Sequence, residues 1–123
     1  MKLAMQIVAI VLLCLVFGSV GVAKMARPEH FLLQFAQLRL PREAIPMVGM
    51  YELVAVAILG MGRGTIRRFG AAMLAVAMVV AAGLHIIFET PVAAVPAIAL
   101  MLLASWIAVV PFCGSKRRGA SYA

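Results

Sequence analysis

Charge is what this sequence has least of. Lys, Arg, Asp and Glu make up 12% of its 123 residues, where a soluble domain carries about 25%. A chain so short of polar side chains cannot cover a globule facing water. Cysteine is nearly missing too. Cys14 and Cys113 stand near opposite ends and form no CxxC, which excludes a disulfide framework and argues against a zinc site. Two histidines, His30 and His85, are too few for a metal centre of the usual kind. No nucleophile motif and no phosphate-binding loop is present, so the chain holds no complete catalytic set.

What is abundant is apolar. Hydrophobic residues make up 66% of the chain, and the mean hydropathy is +1.13. They fall into four runs, about residues 3–23, 45–61, 69–88 and 92–112, each close to the ~20 residues that cross a bilayer as a helix. A helix pairs all its backbone groups internally, so it can span lipid alone. The expected fold is an all-α membrane protein of a single domain, 1–123: an antiparallel bundle of four transmembrane helices. The first run has a rival reading. Lys2, the apolar run and Gly-Val-Ala before Lys24 resemble a cleavable signal peptide.

The net charge of +7 sits in the short flanks of these runs. It reads as a topology signal and not as a nucleic-acid surface. Lys2, Arg63, Arg67, Arg68, Lys116, Arg117 and Arg118 would share one side, and Lys24, Arg27, Arg39 and Arg42 the other. The excess places both termini in the cytoplasm. The basic tail, 113–123, would anchor in anionic headgroups. Between the first two runs, PEHFLLQFAQLRL puts Phe31, Leu32, Phe35, Leu38 and Arg39 at helical spacing. A short amphipathic helix over about 28–38, opened by Pro28, is expected, either lying at the outer interface or packed as an ordinary loop helix.

The second run contains Glu52. An ionisable residue inside a span is costly, and such residues are usually functional. Counting at about 1.5 Å per residue, Glu52 lies about 10 Å below the outer rim and His85 about 5 Å. Lys24 and Glu89 come to the same end of the bundle, and Tyr51 adjoins Glu52 in sequence but points about 100° away. Lys24, Tyr51, Glu52, His85 and Glu89 are therefore the candidate polar site. Glu52 has three options: an ion pair with Lys24 or Arg27, a shared proton with His85, or a retained proton of its own. A buried pair that only fixes helix register would look the same in sequence. Small residues, among them Gly18, Gly21, Gly49, Ala75 and Ala82, line one face of each helix and are expected to let the helices pack closely.

The order of these features resembles the DoxX-like family of small four-helix membrane proteins. The resemblance rests on Gly-x-x-Lys at Gly21–Lys24, Leu40-Pro41, Gly-x-x-Glu-Leu at Gly49–Leu53, RRFGAAMLAVAM, and a histidine near the end of the third run. It covers about residues 10 to 110. The family implies a four-helix bundle with polar positions at Lys24, Glu52 and His85, and fixes function poorly. One relative is named as a subunit of a thiosulfate:quinone oxidoreductase, others act with partner enzymes in oxidative-stress complexes, and a vertebrate branch includes a chaperone for assembly of acetylcholine receptors. The chain lacks the paired cysteines of quinone-linked thiol oxidoreductases with a similar bundle.

Three functions follow as expectations. The first is a non-catalytic accessory or assembly factor, or a binder of a small apolar ligand, in a bacterial inner membrane. It would work with a membrane partner protein or as a homo-oligomer. The second is a membrane subunit that presents a quinone or lipid site to an oxidoreductase, with His85, Tyr51 and Glu52 serving the quinone. The third is a small proton-coupled transporter. It is weakened because small multidrug transporters carry their glutamate in the first helix.

Overall fold

The computed structural model describes residues 2–110. The basic tail 113–123, with Cys113, and the final residues of the fourth run lie outside the described residues. Five α-helices are present: α1 (Lys2–Ala26), α2 (Leu32–Gln37), α3 (Ala44–Met61), α4 (Thr65–Phe88) and α5 (Val95–Val109). Single 3-10 turns, Pro28–Phe31 and Pro91–Ala94, lead into α2 and α5. There is no strand among the described residues. Four helical segments, Leu3–Ala26, Ala44–Met61, Thr65–Phe88 and Pro91–Val109, are long and apolar enough to cross a membrane. Each run of the sequence thus becomes a helix.

The boundaries differ from the apolar runs where polar residues join a helix. The first helix continues to Ala26 and carries Lys24 within it. The third span begins at Thr65 and takes in Arg67 and Arg68. Both arginines find helix-end carbonyls to donate to, so their polar heads do not force the helix to start later. Arg67 Nε donates to Leu59 O at 3.2 Å. Arg68 Nε donates to Ala108 O at 2.7 Å, and its Nη2 donates to Val109 O at 3.1 Å. The segment expected as one amphipathic helix over 28–38 is instead a 3-10 turn followed by a six-residue helix.

The four long helices run antiparallel. α1 packs along α3, α3 along α4 and α4 along α5, while α1 meets α5 only sparsely. Leu13, Phe17, Ala55, Leu59, Leu74 and Ala104 form the centre of the core. Large apolar residues such as Val8, Leu15, Met47, Ile66, Ile87 and Leu102 face outward. That much exposed apolar surface would be a liability in water; in a bilayer it is the lipid-facing side.

Glycine sets two of the close approaches. A Cβ on Gly70 would lie 2.6 Å from Leu59 N and 2.9 Å from Ala55 O, so α3 and α4 cross there backbone to backbone. A Cβ on Gly49 would lie 2.9 Å from both Gly21 O and Lys24 Cβ, which marks the α1–α3 crossing. Ala75 packs against the main core, and Ala82 is buried with Ala94 and Ala97 in a second cluster. Gly18 departs from the expected packing role: a Cβ there would meet nothing within 4 Å. The spacing of small residues on α1 does not by itself say which of them faces a neighbour.

Candidate functional site

The α1–α3 crossing brings two charges together. Lys24 Cβ passes over Gly49, where any side chain would block it. Side chains on a helix lean toward its N-terminus. On antiparallel helices, Lys24 therefore leans into the bundle and Glu52 leans out toward it. They meet at 2.8 Å, Lys24 Nζ to Glu52 Oε1. The Glu52 side chain is 2% exposed. A buried carboxylate needs a partner, and removing that partner is far costlier than never having had the pair.

The chain then folds back over the lysine. Lys24 Nζ lies 5.7 Å from the ring centroids of both Phe31 and Phe35, within reach of a cation–π attraction to each. Phe35 and Leu38 are buried by this fold-back, while Leu33 points outward. The turn that ends α2 is a Schellman motif. Arg39 N donates to Ala36 O at 3.0 Å, and Leu40 N to Phe35 O at 2.9 Å. Arg39 takes the left-handed conformation there, with φ 59°, where glycine is usual. Its guanidinium lies 5.2 Å from the Phe88 ring centroid at the end of α4. The amphipathic segment is thus a cover over the ion pair, tied to α4 by Arg39.

Beneath this cover is a cavity of about 120 Å3. Its polar lining comes from Lys24, Gln34, Glu52 and His85, and its apolar lining includes Phe35, Leu38, Val48, Ala77 and Val80. One atom of a lining residue stands out. Among the described residues nothing donates a hydrogen bond to Glu52 Oε2, although the atom is buried. Buried polar atoms are nearly always satisfied, and an exception calls for an explanation.

Three of the five candidate residues converge on this cavity, and two are placed differently. His85 lines it but bonds to Glu89, His85 Nδ1 to Glu89 Oε2 at 2.7 Å, an i,i+4 pair on one helix. It does not share a proton with Glu52. Glu89 reaches the site only through His85. Tyr51 belongs elsewhere: its hydroxyl donates to Met73 O at 2.7 Å. It lines a separate groove of about 420 Å3 between α3 and α4, with Ala44, Met47, Val48, Val76, Ala77 and Val80. Gln34 is a lining residue that was not among the sequence candidates. Its position depends on the fold-back, which no local pattern announces. No group of three or more potential metal ligands is present among the described residues.

Four apolar antiparallel helices enclosing one buried ion pair define a small integral membrane helix bundle. The chain belongs to the DoxX-like family, whose profile matches residues 8–108. Comparison with curated proteins and with solved structures yields no match.

Proposed function

We propose that this protein is a non-catalytic membrane binding protein, with a small-molecule site under α2, acting as an accessory factor. The observation that carries the reading is Glu52 Oε2, a buried acceptor that has no donor among the described residues, on a residue that lines a cavity. A pair serving only helix register has no need of a cavity beside it. The basic bias of the connections supports placing this end of the bundle outside, in a bacterial inner membrane with cytoplasmic termini.

The quinone-linked reading has Lys24 in its favour, since it lines the cavity and its ammonium has further N–H groups beyond the one given to Glu52. It is the weaker of the two. An oxidised quinone offers only acceptors to Glu52 Oε2, and the Tyr51 hydroxyl is engaged with Met73.

Mass spectrometry of small molecules that co-purify with wild type and with Glu52→Gln, alongside thermal melts of both, tests the proposal. The expected result is a specific lipid or small ligand that follows wild type and is lost from the variant, alongside a lower melting temperature because Lys24 loses its counter-charge. Identical extracts together with a much lower melting temperature would show that Glu52 is a register-fixing residue. A quinone in the wild-type extract would bring the second reading forward.

A further inference from the structure

The cavity under α2 and the groove between α3 and α4 are neighbours. Val48, Ala77 and Val80 line both. The cavity is polar at Lys24, Glu52, Gln34 and His85, while the groove is almost wholly apolar and opens on the outer surface of the bundle. Val80 and Met47 at its mouth are exposed on the face that lipid covers. At about 420 Å3, the groove falls within the roughly 300–1,000 Å3 of small-molecule sites. A polar chamber abutting an apolar channel matches a molecule with a small polar head and an apolar tail.

The geometry points to a neutral, single-chain amphiphile whose hydroxyl or amide head donates to Glu52 Oε2 in the cavity, and whose tail lies in the α3–α4 groove and enters sideways from the bilayer. This rests on the binding reading given above and names its ligand class. The head must donate, because the unpartnered atom is an acceptor. The head is neutral because Lys24 already balances Glu52 at 2.8 Å: a second ammonium would be repelled by the first, and an anion by the carboxylate. Ala77 is the smallest of the three residues that line both spaces. Phe35 and Leu38, buried on α2 and its C-terminal turn, line the cavity where α2 folds over it, and the proposed route in runs from the lipid side.

A photolabelling experiment on the full-length protein in lipid nanodiscs tests this. The probe is a long-chain alcohol with a diazirine in its tail, and the control is its methyl ether, which can accept but not donate. The alcohol is expected to label residues along the groove, around Met47–Tyr51 and Val76–Val80, and the ether roughly tenfold less, a difference of about one lost hydrogen bond to a charged group. Val80→Trp, at the exposed mouth, should abolish labelling by the alcohol. Ala77→Leu, at the shared wall, should do the same and serves if the tryptophan variant does not fold. The double variant Lys24→Met/Glu52→Met should reduce alcohol labelling to the level of the ether. Equal, competable labelling by alcohol and ether would overturn the ligand class and leave the binding reading standing, whereas no competable labelling by either would overturn the binding reading as well. If labelling depends on Glu52 but persists in Val80→Trp and Ala77→Leu, the site stands and the sideways route is wrong.

Discussion

The two ends of the bundle treat their charges in different ways. At one end Arg67 and Arg68 donate to carbonyls near the ends of α3 and α5. Those carbonyls lack partners in any helix, and cations there also complement the helix dipole. The arginines thus complete the backbone. At the other end Lys24 and Glu52 satisfy no backbone group among the described residues. They meet side chain to side chain, buried, beneath two aromatic rings. One end uses charge to finish helices. The other places charge where the helices do not need it, and that is the stronger sign of a site.

The largest effect should come from breaking the pair unevenly. Lys24→Met leaves Glu52 buried without its partner and should cost about 3–5 kcal/mol in a denaturant titration in mild detergent. Lys24→Met/Glu52→Met should recover most of that loss, because an apolar pair of similar volume is often as stable as a buried ion pair. If the double variant stays as unstable as the single, the pair is structural and the contrast between the two ends weakens. Gly49→Ala comes next, at about 1–3 kcal/mol, since its Cβ must displace the α1 backbone or the Lys24 stem. Gly18→Ala is its control. With open space around it, the alanine should stabilise by up to about 1 kcal/mol through helix propensity alone.

At the arginine end, Arg68→Ala should cost about 1–2 kcal/mol in the same titration, through two lost bonds to terminal carbonyls. It should leave ligand labelling at the opposite end unchanged. The smallest change is expected for Arg39→Gly. Relief of the left-handed backbone, about 1 kcal/mol, offsets the lost contact with Phe88. Its signature is faster hydrogen exchange in α2 with little change in overall stability.

The spans were legible because an apolar run of some twenty residues has few folded alternatives in lipid. Of the options open to Glu52, the structure adopts the ion pair with Lys24, and helical counting placed Tyr51 on another face of α3. His85 was harder. Depth brings it near Glu52, but Glu89 is one turn away on the same helix and wins by proximity. The cover over Lys24 was legible only as an amphipathic pattern. A helix of six residues has no stability of its own, so its placement depends on Phe31, Phe35 and Leu38 finding the lysine and the cavity. The capping role of Arg67 and Arg68 was hidden for a related reason: their acceptors on α3 and α5 are brought near only by the bundle.

The opposed lean of Lys24 and Glu52 has a mechanical consequence. Two side chains approaching each other along a shared axis act as a stop against sliding, and the Gly21–Gly49 contact holds the same seam from the side. The α1–α5 seam has sparse contact. When a bilayer thins, helices adjust by tilting and shifting, and here that adjustment should fall on α1 against α5 while α1 and α3 move as one. Spin-label distances across the two seams, in short-chain and long-chain lipids, would separate the rigid pair from the yielding one.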